Sequence, residues 1–214
     1  MIRNTSDQMF HFIESLGIDS NCYILESDVT VLIDTGTYKN YRIYDYVDEN
    51  DLEIDFIINT HCHYDHIGGN KFFEVPIYAH EKDYLDIQNA TEKTFFWAFS
   101  QKFEGYKDVN PLKENDEIDL GEYILKVIHT PGHTSGSMCL LEEYKSYLFS
   151  GDTVFKGSVG RYDLPSGNLE DLKESLKKLC DIKVKEVFPG HGESFPGKDL
   201  LFNKYMVTLM EEDI

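Results

Sequence analysis

No stretch of this 214-residue sequence approaches the roughly 18 consecutive apolar residues that a membrane-spanning helix needs. Residues 1–12 lack the apolar core of a secretory signal peptide, which points away from export and toward the cytoplasm. Cysteine is scarce: Cys22, Cys62, Cys139 and Cys180 are the four, none in CxxC spacing, so no disulfide framework is expected. Each fits a small buried hydrophobe. Cations are also few. Twenty Lys and Arg against 39 Asp and Glu leave a net charge of −19. Such a surface repels phosphate backbones and anionic lipid, which sets nucleic acid and membrane aside as partners. Internal repeats, low-complexity tracts and linkers are absent too, so residues 1–214 are expected to form one domain. What is present suffices for a core: 41% of residues are hydrophobic and 14% aromatic, which excludes wholesale disorder.

Short apolar runs broken by turn residues predict strands at 9–13, Cys22–Leu25 and 30–33, an antiparallel meander. Residues 37–47 have helical spacing, with Tyr41, Tyr44 and Val47 on one face. Further strands are expected at 55–59, 77–79, Glu117–Asp119, 123–128, 137–141, 146–149 and 186–188. Between them, 81–108 is helix-permissive and rich in aromatics, from Phe95 to Tyr106, which fit core packing or a lid over a site. Asn168 predicts a helix N-cap with Asp171 at the third helical position. Leu169, Leu172, Leu176 and Leu179 then form an apolar stripe. This order of elements argues for an α/β sandwich.

The chemistry concentrates in His61-Cys62-His63-Tyr64-Asp65-His66, directly after an apolar strand. Three imidazoles and a carboxylate on one loop can converge on a point, and burying them without partners would be costly. Neutral imidazole and carboxylate suit zinc, manganese or iron(II). Three more candidates lie at strand ends beside glycine: His133 in Pro131-Gly132-His133, Asp152 in Gly151-Asp152 and His191 in Gly190-His191-Gly192. Four such places are hard to explain without a shared metal centre. Cys62 is read as packing, and His11, His80 and His129 as structural or exposed.

HxHxDH followed by a lone His, an Asp and a final His resembles the metallo-β-lactamase superfamily, and Asp34 in Ile33-Asp34-Thr35-Gly36 resembles its buried acid before the first helix. The resemblance implies a four-layer αββα sandwich with the metal site at one edge of two sheets. It implies that His61, His63 and His133 bind one metal, that Asp65, His66 and His191 bind a second, and that Asp152 bridges them. Asp34 would orient ligands or their loop by hydrogen bonds. The implied cofactors are two divalent cations, zinc first, with iron(II) or manganese(II) also suited to the donors.

Such a pair acidifies a bound water into a hydroxide nucleophile, with Asp65 placed to orient it as well as to ligate. The segment from Gly157 to Pro165 further resembles the glyoxalase II-like branch, where Arg161 would meet a substrate carboxylate or else pair with Asp163. Tyr162 and the aromatics of 95–106 would line the acyl pocket. The implied reaction is hydrolysis of a small acyl thioester. The branch's basic C-terminal region has no counterpart in Glu211-Glu212-Asp213, which leaves the carrier thiol open. The alternative is a persulfide dioxygenase with a single Fe(II) on His61, His133 and Asp152. The superfamily's nucleases, with their large insertions, fit neither the length nor the charge. Its diiron flavoproteins replace the second histidine, and His63 is present.

Overall fold

The computed structural model describes residues 2–4, 9–15, 17–37 and 41–200. The expected helix start at 38–40 and the acidic end at 211–213 lie outside them.

Among the described residues, the first sheet has seven strands: β1 (Ile2–Asn4), β2 (Phe10–Ile13), β3 (Cys22–Leu25), β4 (Val31–Ile33), β5 (Phe56–Asn59), β6 (Ile77–His80) and β7 (Val109–Leu112), in that spatial order. The first four pair antiparallel, and β4 to β7 pair parallel. The second sheet uses β8 (Glu117–Asp119), β9 (Ile124–His129), β10 (Met138–Glu142) and β11 (Tyr147–Gly151). A small ribbon of β12 (Val154–Phe155) and β13 (Ser158–Val159) follows. Then β14 (Glu186–Pro189) and β15 (Phe195–Pro196) complete the second sheet, in the order β15-β14-β11-β10-β9-β8.

Three apolar clusters account for the layers. The middle one joins inward faces of both sheets: Phe10, Phe12 and Tyr23 from the first meet Phe149 and Phe188 from the second. Phe149 and Phe188 stack at 5.4 Å, and Phe10 meets Phe188 edge-on at 4.9 Å. The outer face of the first sheet is covered by α1 (Tyr41–Glu49), α2 (Tyr64–Ile67) and α3 (Tyr84–Asn89), through Ile43, Ile67 and Ile87. The outer face of the second is covered by α4 (Leu169–Cys180), through Leu172, Leu176 and Leu179. The result is the expected αββα sandwich.

Local details follow the sequence with two shifts. Asn168 caps α4 as expected, its side chain accepting from the Asp171 N–H at 3.0 Å. On α1, Ile43 is buried with Tyr46 and Val47 packed beside it, and Tyr44 is exposed, so the expected face holds at Val47 and moves from Tyr44 to Ile43. Ile43 outranks Tyr44 for burial because it has no hydroxyl to keep wet. The second shift concerns 64–67, which form one helical turn rather than loop.

The parallel run β4 to β6 brings its carboxyl ends to one edge, and β9, β11 and β14 run alike in the second sheet. The Met138 N–H donates to the carbonyl of Thr60 at 3.0 Å, locking these edges together. Every loop beyond them therefore opens onto the same rim, where α/β sheets hold their ligands.

Candidate metal centre

All seven expected ligand residues converge there. His61 and His63 follow β5, Asp65 and His66 sit on α2, His133 follows β9, and Asp152 and His191 follow β11 and β14. Three overlapping groups each place one ligand atom per residue within 4.8 Å of the others: His61 with His63 and His133, His61 with His66 and Asp152, and Asp65 with His66 and His191. Asp152 faces both ends of this cluster. Its Oδ1 lies 3.3 Å from His66 Nε2, and its Oδ2 lies 3.6 Å from both His133 Nε2 and His191 Nε2. Asp65 Oδ2 is 3.2 Å from His191 Nε2.

Hydrogen bonds behind these residues fix their orientation. Asp34 Oδ2 accepts from His66 Nδ1 at 2.8 Å and from the Thr60 hydroxyl at 2.7 Å, while its Oδ1 accepts the Thr60 N–H at 2.8 Å. That turns His66 Nε2 toward Asp152. His133 Nδ1 donates to the carbonyl of Arg161 at 2.7 Å, which turns its Nε2 inward.

Buried polar atoms test whether a cation fits. Among the described residues, His61 Nε2, His63 Nε2 and Asp152 Oδ1 are buried without a hydrogen-bond partner, an expense that ligation would remove. Burial, reinforced by His66 and His133, pushes His61 well below its ordinary pKa, and burial carries His63 down to about 3. Both imidazoles are thereby held neutral, the form that ligates. Burial disfavours a proton on His66, yet Asp152 and Asp34 hold its pKa well above the ordinary value. Burial likewise opposes charge on Asp152, but His191 and His66 keep its carboxyl well below the usual range. The cluster thus selects positive charge between its carboxylates and neutral nitrogen around it. Divalent cations meet both demands.

A model of the metallo-β-lactamase superfamily matches residues 17–191. The chain belongs to that superfamily. It is 36% identical over 187 residues to a probable metallo-hydrolase of Methanocaldococcus jannaschii, spanning 83% of this chain and 89% of the relative. It is 29% identical over 188 residues to the hydroxyacylglutathione hydrolase GloC of Haemophilus influenzae, spanning 80% and 85%. Among solved structures, the B3 metallo-β-lactamase BLEG-1 aligns with a TM-score of 0.81 and 27% identity over 94% of this chain and 100% of that one. TTHA1623, solved in a di-iron-bound form, aligns at 0.76 with 29% identity over 87% and 94%. A metal-dependent hydrolase superfamily and a site able to hold divalent cations therefore agree.

Two supports of this superfamily site were not apparent in the sequence. Asp83 is fully buried, and its Oδ2 accepts the Cys62 N–H at 3.0 Å and the Thr134 hydroxyl at 2.7 Å, joining the loop of His61 and His63 to the loop of His133. Asn21 donates to the carbonyls of Pro189 at 2.8 Å and Gly192 at 2.9 Å, and Tyr23 also donates to Pro189, holding the turn that carries His191. Neither lies in a motif, and their partners are 21 to 171 residues away.

Other expectations resolve individually. Cys62 is buried, and burial raises its thiol well above its ordinary pKa, as a packing role requires. His129 stacks on His80 at 3.9 Å, and His11 bonds to Tyr46 and Glu26, all away from the cluster. Arg161 borders the cavity over the His and Asp cluster, but its Nε and Nη2 each sit 2.9 Å from Asp163. Of the expected acyl-pocket aromatics, Phe95 and Phe99 line that cavity. Phe96, Phe103 and Tyr106 pack against the core beneath the first sheet instead, and Tyr162 stays outside the lining.

Proposed function

We propose that this protein is a dinuclear metallo-hydrolase, with zinc as its resident metal, that cleaves an acyl thioester. The observation that supports the dinuclear reading is Asp152, whose carboxylate lies within 3.6 Å of His133 at one end of the seven-residue cluster and of His66 and His191 at the other. His61, His63 and His133 would hold one cation, and Asp65, His66 and His191 the other. The imidazole and carboxylate donors suit zinc and also admit iron(II) or manganese(II).

A bound pair of divalent cations supplies a water acidified toward neutrality and an electrophile for the acyl oxygen. The chain's own residues do the rest. Asp65 borders the cavity and is positioned to orient the attacking water and accept its proton. His66 and His133 are fixed by Asp34 and by the Arg161 carbonyl, so the site is organised before substrate arrives. Phe95 and Phe99 exclude bulk water from one part of the cavity. In the reaction the water oxygen bonds to the acyl carbon, the C–S bond breaks, and the products are a carboxylic acid and a thiol.

A thiolate leaving group asks little of the polar groups of the cavity. Among the described residues, its lining outside the ligand set has only Ser158 and Arg161 with polar side chains. Asp65, once it has taken the water's proton, is the acid at hand for a leaving group that needs one. A thiolate, with a parent pKa of about 8.5, departs without one. The similarity to hydroxyacylglutathione hydrolase GloC supports the same reading.

Thiol release from a panel of acyl thioesters tests it. Activity that disappears on chelation and in Asp152→Ala is expected. Oxygen uptake with glutathione persulfide, with no thiol released from any thioester, would replace this reading with the iron-dependent dioxygenase.

A further inference from the structure

The cavity over the metal ligands encloses about 540 Å³. Its non-ligand lining is mostly apolar, with Ile18, Phe95, Phe99, Phe155, Val159 and Leu164. Phe95 is unusual in its backbone. Its φ of 58° is left-handed, a region costly for any residue with a bulky side chain. The sequence keeps a phenylalanine where glycine would sit without strain. That backbone holds a half-buried ring with its centroid 6.0 Å from that of His63, braced edge-on by Trp97 at 4.6 Å. Strain retained beside a reactive centre marks a side chain held for use.

Charge supplies an independent observation. Arg161 is the single cationic Lys or Arg side chain lining the cavity among the described residues. Its guanidinium is engaged by Asp163 at 2.9 Å through two nitrogens. Lys156 borders the adjoining depression beside His191, and its Nζ lies 2.8 Å from Glu193. Each rim cation is thus matched by an acid, in a chain of net charge −19. Beyond the charge that bound cations would bring to the cluster itself, neither rim cation is left unpaired for the carboxylates of an anionic carrier.

We propose that the site selects an uncharged thioester whose apolar acyl group packs on Phe95 and Phe99. This rests on the thioester hydrolase reading and narrows it, since it disfavours carriers with several carboxylates such as glutathione. Phe95 is then the specificity-determining residue, setting how strongly acyl length raises the rate.

The test uses metal-loaded protein and acetyl, butyryl and hexanoyl thioesters, each carried on N-acetylcysteamine and on glutathione. On the uncharged carrier, kcat/KM should rise about threefold to fourfold per added methylene. The glutathione series should run at least about tenfold slower at each length, its carboxylates meeting an acidic surface and no unpaired rim cation. Phe95→Ala should flatten the length dependence. Phe95→Gly, which relieves the backbone, should flatten it while keeping the fold. A flat wild-type series, or a faster glutathione series, overturns the proposal.

If no thioester releases thiol, the hydrolase reading fails, and binding decides the apolar shelf separately. Trp97 is the only tryptophan in the sequence, so its fluorescence reports on Phe95. The thioether S-hexyl-N-acetylcysteamine should perturb it saturably in wild type and not in Phe95→Gly. No change in wild type removes the shelf as well.

Discussion

Asp34 holds His66 from behind: its Oδ2 accepts from His66 Nδ1 at 2.8 Å, and both groups are almost wholly buried. The same carboxylate accepts twice from Thr60, the residue before His61. One acid thus orients a ligand at one end of the cluster and the backbone leading to a ligand at the other. Its own φ of 57° is left-handed, which aspartate and asparagine tolerate better than most residues. Asp34→Asn therefore leaves the backbone acceptable while removing the charge. It should weaken metal binding about 10- to 100-fold, read by competition with a chromogenic chelator. Unchanged affinity would show that His66 needs no such partner.

Asp83 clamps two ligand loops. Asp83→Ala leaves the Cys62 N–H buried without its acceptor, while the Thr134 hydroxyl keeps Ser137 Oγ at 2.9 Å. Leaving a buried N–H without an acceptor costs about 1–3 kcal/mol. Urea unfolding of metal-loaded protein should show a stability loss in that range or above, and Asp83→Asn, which retains an acceptor oxygen, should recover part of it. Equal losses in both variants would mean that charge, not acceptor geometry, holds the loops.

Gly190 is required by space. A Cβ there would fall 2.1 Å from Asp152 Oδ1 and 2.6 Å from His66 Cε1. Gly190→Ala should bind metal substoichiometrically with an unchanged far-ultraviolet circular dichroism spectrum. Full metal content would mean that Asp152 moves aside without consequence for ligation.

His80 offers a pH signature away from the metal ligands. Burial, and then its neighbour His129, lower its pKa from 6.5 to about 4. Between those values the unfolded chain binds a proton that the folded protein does not. Stability contributed by neutral His80 is therefore present above pH 6.5 and falls as pH drops toward 4. His80→Asn should lose less stability than wild type between pH 7 and pH 4.5 in paired urea titrations. Parallel losses would assign the acid sensitivity elsewhere.

The residues that the fold gathers at the candidate metal centre were legible because their pattern is local: HxHxDH spans six residues, and His133, Asp152 and His191 each stand beside glycine at a strand end. Strands such as Cys22–Leu25 and Glu117–Asp119 were legible for a similar reason, as short runs bounded by turn residues. Val109–Leu112 escaped because Pro111 argues against a strand, and the structure tolerates it at the sheet's edge. Phe95 could not be separated from Phe96 by composition. One turns toward His63 and the other into the core, a difference set by a single left-handed residue. Asp83 and Asn21 were hidden for a different reason. Their value comes from partners distant in the chain, and no spacing encodes that.

The central claim is a dinuclear centre bridged by Asp152. Its most direct test is elemental analysis of tag-free protein, purified anaerobically from cells supplied with zinc, iron and manganese. The expected result is about two divalent cations per chain, mostly zinc, falling sharply in Asp152→Ala. A single iron per chain, undiminished when Asp65 or His191 is replaced by alanine, would contradict it.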